Sequence, residues 1–534
     1  MKKNYLLLLG LCIPVLLFLI LNFSFFYKPD NQQNGLSCLK INLPEGDPPS
    51  LHPHLCTDIR GRTLGKALFE GLTRLNKNGK AELAGAEKVE ISPSSSHYTF
   101  IIRPHQWSNG EPVTAYHFAQ AWKKAIQPDS LCVRADLFYI IKNAKKAKLG
   151  QVPIEEIGVK ALDERTLLVE LEQPSPYFLD LVSHPIFSPM PNSNIKEPIV
   201  FNGPFNIGKW KRGSVLELVK NPHYWDASHV QLDKVSIFMV ADTYTQFSLF
   251  EKNELDLVGD PFDSFPLDIL ASAIKDPRFG SKEISRVNWI YVNVNAMPFQ
   301  SAKIRKAFSY AINRTDLTKY LLFADSPCQT ILPNTLTLLG KEEATHDADI
   351  AQANLLLEEG MAELGLTRKT FPSITLSYCT YGYQKTVYEA IQEMWKKNLG
   401  IHVRLEGSEW NVFSSQLNLG QFQLGCCMRS AVYEDPFYFL EIFKDKSYSY
   451  NCSRWENQEY QNLLDQAIIS SDAKQRKLHL KQAEKLLIEA MPVIPIYSET
   501  CKYILNDQIS GFEINGSGYS DFKTISFKNT EKKS

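Results

Sequence analysis

Tyr98-Thr99-Phe100-Ile101-Ile102-Arg103, followed by Trp107-Ser108-Asn109-Gly110-Glu111-Pro112-Val113-Thr114-Ala115, is the stretch that decides the fold class. β-Branched and aromatic residues alternate through 98–102, the period-two pattern of a strand. Thr114 then stands as the cap of a helix over 115–126, in which Phe118, Ala121, Trp122 and Ala125 share one face and Pro128 ends the run. Strand and helix follow one another directly, and the chain reads as mixed α/β.

The same alternation returns at 167–171, 215–219, 235–239 and 289–294. Helical spacing returns at 385–398, where Val387, Ile391, Met394 and Trp395 line one face and Gly400 stops the helix, and at 473–490 behind a cap at Asp472. There is no long repeat and no low-complexity segment. No internal stretch reads as a linker between consecutive domains, which favours lobes assembled from discontinuous segments.

Lys2 and Lys3 precede an apolar run over 5–26, the pattern of a basic n-region and a long h-region, so the main body is expected to be exported. At 1.5 Å per residue that run reaches about 33 Å as a helix, enough to cross a bilayer core. An uncleaved membrane anchor is one reading, and a removable signal broken at Pro14 is the other. The polar stretch 27–37 suits a spacer. With 58 basic and 59 acidic side chains, nothing in the charge balance points to nucleic acid. Ten cysteines scattered over 534 residues do not form a disulfide scaffold.

The constellations that catalysis and cofactors require are missing. No phosphate-cradling glycine loop, nucleophile elbow, His-Glu-x-x-His or calcium-loop pattern occurs. His52-Pro53-His54 and the vicinal pair Cys426-Cys427 lack the companions of a metal site, and Asp163-Glu164 and Glu434-Asp435 read as solvated turn residues. Neither a catalytic residue nor a metal nor a cofactor is expected. Aromatic residues clustered with Gly, Asn and Pro do stand out, at 107–110, at 221–226 and at Trp410. Such rings suit either a core or a cleft that encloses a varied ligand.

Several segments resemble, in order, the oligopeptide-binding proteins of ABC importers, which are solute-binding proteins of family 5. They are Ser50-Leu51-His52-Pro53-His54, Leu68-Phe69-Glu70-Gly71-Leu72, the stretch 98–115 quoted above, Gly203-Pro204-Phe205 with Trp210, Asn221-Pro222-His223-Tyr224-Trp225-Asp226, Asn253-Glu254-Leu255-Asp256, Ile304-Arg305-Lys306-Ala307-Phe308-Ser309-Tyr310-Ala311-Ile312-Asn313-Arg314, and Pro492-Val493-Ile494-Pro495. The resemblance implies a two-lobed, periplasmic-binding-protein-like (type II) α/β fold with an inserted α/β domain. Lobe I would take 38–74, 192–287 and 491–534, the inserted domain 75–191, and the second lobe 288–490. It also implies a receptor that encloses a peptide between the lobes and delivers it to an ABC permease, with crossings near 288 and 490 flexing on closure.

By the same resemblance, the strands that pair with the ligand would lie near 57–62 and 428–432. The binding residues would be Thr57, Asp58, Ile59, Arg62, Trp410, Met428, Arg429, Ser430, Val432, Glu434 and Asp435. Where the family segment carries an Asp that anchors the peptide's α-ammonium, this chain has Val432. Removing one partner of a buried ion pair costs roughly 3–5 kcal/mol, so Glu434 or Asp435 is expected to substitute, or the ligand lacks a cationic terminus there. The family's frequent Cys pair falls on Asn288 and Ser430, so no disulfide links those strands. Arg429 is read as a partner for a ligand carboxylate, which suits murein-derived peptides. The alternatives within this fold are a receptor for a nickel chelate, haem or sugar, and a periplasmic chaperone or hydrolase.

Overall fold

Thr114 does cap a helix, Ala115–Ala125, and a capping box closes it, with the Thr114 N–H donating to His117 Nδ1 at 3.0 Å. In this computed structural model the described residues are 36–528, except 57, 77–78, 192–199, 341, 381 and 471. The side chain of Ile59 is also outside the description. From Cys38 onward the chain is one compact unit, distinct from residues 1–37.

The strand that opens the sequence reading becomes His97–Ile102, the centre of a four-stranded antiparallel sheet in the order Ala86–Ile91, His97–Ile102, Thr166–Glu170, Val159–Ala161. Phe118, Ala121, Trp122 and Ala125 of the adjoining helix are all buried, as their spacing predicts, and Trp122 donates its indole N–H to the Phe187 carbonyl at 2.8 Å. A second four-stranded sheet runs Cys38–Asn42, Lys234–Phe238, Val215–Lys220, Phe205–Lys211, with only the first pair parallel. One buried cluster serves both sheets.

The third sheet has seven strands. Its order is Leu257–Gly259, Val493–Leu505, Phe279–Val292, Leu424–Ser430, Ile374–Cys379, Val403–Ser408, with Ser326–Pro327 attached to Val493–Leu505. Two helical layers cover it, one holding Gln384–Leu399 and the other Ala473–Ala490. Both helices end and begin as their sequences require. Gly400 closes the first in the left-handed region at φ 70°, and Asp472 caps the second by accepting from the Lys474 N–H at 2.9 Å.

Phe279–Val292 and Val493–Leu505 are the two longest strands, and they pair with each other. From Ile284 to Val292 the first is buried throughout, with Ser285, Arg286 and Asn288 buried among its apolar residues. Their ladder shifts register between Glu283 and Val287 and again between Asn288 and Trp289. Bulges of this kind bend a strand.

One expectation fails locally. Of the expected strand 57–62, residues 59–62 are helical, because Ile59–Leu68 is an α-helix whose N-cap is Asp58, accepting from the Gly61 N–H at 2.7 Å. An Asp just before a helical run satisfies an otherwise orphaned amide, and that local bond outcompetes the extended form.

Candidate binding chamber

A chamber of about 730 Å³ opens between two groups of segments. Residues 132–140 and 172–181 form one wall, and residues from Arg429 to Tyr450 form the other. That size lies in the ordinary range for a small-molecule or peptide site. Six tyrosines line it, at 139, 177, 433, 438, 448 and 450. Tyr177 of one wall stacks on Tyr433 of the other, with centroids 4.2 Å apart and planes at 6°.

Leu424–Ser430 carries Arg429 into this chamber. The guanidinium lies 4.4 Å from the centroid of the Tyr450 ring and donates to the Tyr291 hydroxyl from Nη2 (3.1 Å) and Nε (3.3 Å). Tyr291 in turn donates to the Tyr450 carbonyl at 2.8 Å, which fixes the hydroxyl as an acceptor for the arginine. No carboxylate among the described residues forms an ion pair with Arg429. Arg134, on the opposite wall and 5.9 Å from the same ring, is by contrast neutralised by Asp136 at 2.9 Å. Burial, with Asp136 and Asp435 nearby, pushes the Glu441 carboxyl up to about 8, so this chamber acid is largely neutral at pH 7.

The same strand has one unpaired edge. Ile374–Cys379 joins it only at Leu424 and Gly425, and no described strand covers the edge from Cys426 to Ser430. On the other side the Ala431 N–H donates to the Ser285 carbonyl at 2.8 Å. By antiparallel alternation, the main-chain groups of Met428 and Ser430 therefore point toward the unpaired edge.

The remaining sequence-derived residues are dispersed. Met428 is exposed, and the Ser430 hydroxyl accepts from Arg286 Nε at 3.5 Å. Val432 is 3% exposed and packed in the cluster shared by the two smaller sheets, with its carbonyl accepting from the Ser517 hydroxyl. Asp435 is paired with Arg476 through two bonds of 2.8 and 2.9 Å. Glu434 packs against Gly79 and Gly516, and burial raises its pKa against the pull of Lys80 and Lys282. Trp410 begins the helix Trp410–Leu419, is 57% exposed and does not line the chamber.

Asp58 is engaged in its cap and with Arg60. Arg62 is covered on the same helix, its pKa lowered by burial and by the neighbouring Arg134. Thr57 lies outside the described residues. Asn288 faces Met428, and Ser430 faces Arg286, so the two positions matched to the Cys pair are not opposite each other. All nine described cysteines are unbridged.

Sequence reasoning passed over Arg134, Tyr177, Glu441, Tyr448 and Tyr450. The run Ser447-Tyr448-Ser449-Tyr450 carried an aromatic signal of the kind that marked Trp107 and Trp225. His52 and His54, with ring centroids 5.0 Å apart, are held neutral by burial, at about 4 and about 3 respectively.

A chamber of this size, walled by two separate groups of segments, is what a solute-binding architecture provides. Residues 80–451 match the model of the bacterial extracellular solute-binding proteins, family 5 (middle), and the chain belongs to that family. It is 36% identical over 509 residues to the oligopeptide-binding protein OppA of Bacillus subtilis, covering 92% of this chain and 93% of that protein. Among solved structures, a periplasmic oligopeptide-binding protein/oligopeptide ABC transporter from Borrelia burgdorferi superposes with a TM-score of 0.78 at 27% identity, covering 92% of this chain and 100% of that one. The Escherichia coli murein tripeptide binding protein MppA superposes with a TM-score of 0.77 at 26% identity, covering 92% and 99%. The fold is thus the two-lobed α/β fold expected, and the protein is an extracytoplasmic solute-binding protein. No helix among the described residues is long and apolar enough to cross a membrane, and the apolar run 5–26 lies outside them.

Proposed function

We propose that the protein is a receptor that closes its lobes on a carboxylate-bearing peptide and hands it to an ABC-type permease, without transforming it. The observation that carries the ligand class is Arg429, a guanidinium on the chamber wall with no carboxylate partner among the described residues. A partly desolvated charge of this kind is costly until a counter-charge arrives. A ligand carboxylate supplies one, in the bidentate geometry that arginine favours.

The unpaired edge from Cys426 to Ser430 supports a peptide in particular. An extended chain added there would gain main-chain bonds that are indifferent to sequence, while its side chains fall alternately on the two faces of the sheet. Acidic murein-derived peptides meet both requirements. The division into lobe I (38–74, 192–287, 491–534), inserted domain (75–191) and second lobe (288–490) belongs to this reading, as does tethering through the segment before residue 38.

Native mass spectrometry of the purified chain tests the proposal. A stoichiometric peptide containing an acidic residue is expected to be retained. Recovery of a sugar, haem or a nickel chelate, or turnover of a bound peptide, would overturn it.

A further inference from the structure

Arg134 and Arg429 line the chamber from opposite walls and lie against one ring. Arg134 stands just before the short helix Ala135–Ile140, and Arg429 lies near the end of Leu424–Ser430. Their guanidinium carbons are 5.9 and 4.4 Å from the centroid of Tyr450. Attraction to a shared ring offsets only part of the repulsion between two like charges.

The hydrogen bonds of the two arginines follow one pattern. Arg134 donates to Asp136 from Nε at 3.0 Å and from Nη2 at 2.9 Å. Arg429 spends the same two nitrogens on the Tyr291 hydroxyl. Each guanidinium is thus held along its side edge, and neither Nη1 has a hydrogen-bond partner among the described residues. A guanidinium carries five N–H donors, so both keep donors for a further acceptor. Asp136 therefore neutralises the charge of Arg134 without using up its hydrogen-bonding capacity.

Two further features favour an acid from the ligand at this place. Glu441, which shares the chamber, is raised to about 8 by burial with Asp136 and Asp435 nearby, and so brings little negative charge at pH 7. An extended ligand on the edge from Cys426 to Ser430 would direct alternate side chains to the face that carries Arg429. The group that meets the two arginines is then a side chain of the ligand and not its terminus.

We propose that Arg134 and Arg429 form a clamp that grips one side-chain carboxylate of the ligand from both walls, so that the group recognised also holds the chamber shut. The proposal rests on the peptide-receptor reading and adds to it a second arginine, on the opposite wall. Without the anion, two guanidiniums oppose each other across the cleft. With it, each is drawn to the same charge, and recognition of an acidic residue becomes a property of the closed form.

Titration calorimetry with three tetrapeptides of otherwise identical sequence tests the clamp. In the first the only carboxylate is a central glutamate side chain; in the second glutamine replaces it and the only carboxylate is the C-terminus; the third has neither. The wild type should prefer the first over the third about tenfold or more, the scale of a charge-assisted hydrogen bond. Arg134→Gln and Arg429→Ala should each remove most of that preference, and the double variant should lose little more than either, because the anion is shared. In solution scattering the glutamate peptide should contract the wild type more than it contracts Arg134→Gln. A preference left intact in Arg134→Gln, losses that add in the double variant, or a preference that follows the C-terminus each overturns the clamp while leaving the peptide reading in place. Equal weakening of all three peptides by Arg134→Gln shows a structural role and also overturns it. A wild type that binds the three alike defeats the carboxylate assignment of Arg429 together with the clamp, and one that binds none defeats the peptide reading itself. Should Arg134→Gln not fold, Arg134→Gln/Asp136→Asn removes both members of the ion pair and is read in the same way.

Discussion

Val432 and Arg429 stand three positions apart and have opposite fates. The valine is packed away at 3% exposure, while the arginine faces the chamber beneath the Tyr450 ring. Arg429→Ala should weaken binding of a carboxylate-bearing peptide by about ten- to a hundredfold, from the 1.5–3 kcal/mol typical of hydrogen bonds to charged groups. The amidated analogue should lose little, and calorimetry on the pair separates the two results. Glu441 gives a second prediction. Its pKa is raised by burial to about 8, so the folded state holds this proton more tightly than the unfolded state does. The stability it contributes is full below its unfolded pKa, near 4.3, and is lost as pH rises toward about 8. In Glu441→Gln that loss disappears, and Tm should fall less between pH 5 and pH 8 than in the wild type. Arg429 was legible because it sits in a local motif. Glu441 and Arg134 were not, because they become neighbours only when segments some three hundred positions apart are folded together.

At the scale of elements, the sequence reading succeeded where periodicity and caps agreed. Ala115–Ala125, Gln384–Leu399 and Ala473–Ala490 fall within a residue or so of the spans their apolar spacing predicts, and Thr114, Gly400 and Asp472 are their boundaries. It failed at 57–62, where the family analogy called for a strand and Asp58 starts a helix. It also missed how far the strand over 289–294 extends, since its polar first half, Phe279 to Glu283, does not alternate cleanly. Leu424–Ser430 carries the prediction that belongs here. The Met428 N–H points away from the Phe279–Val292 ladder, so Met428→Pro should leave the fold intact, with an unchanged circular dichroism spectrum. Peptide affinity should nevertheless fall several-fold, the effect of one main-chain hydrogen bond worth about 1 kcal/mol.

Across the whole molecule, the chamber is closed by a contact between its walls, the Tyr177–Tyr433 stack, extended by Phe437 with its ring centroid 6.1 Å from that of Tyr177. An aromatic pair of this kind contributes about 0.5–1.5 kcal/mol beyond its buried area. Tyr177→Ala should therefore shift the ligand-free population toward an open form, seen as a larger radius of gyration in solution scattering. It should weaken peptide binding by roughly that same energy, several-fold.

The pairing of Phe279–Val292 with Val493–Leu505, irregular at two steps, has a mechanical meaning under the lobe division proposed above. Under that division, opening and closing flex a hydrogen-bonded ribbon at its irregular steps and not a slack tether. Such a joint behaves as a leaf spring, keeping its cross-links through the stroke. A protease that cuts exposed linkers should thus find the junction as resistant in the empty receptor as in the loaded one.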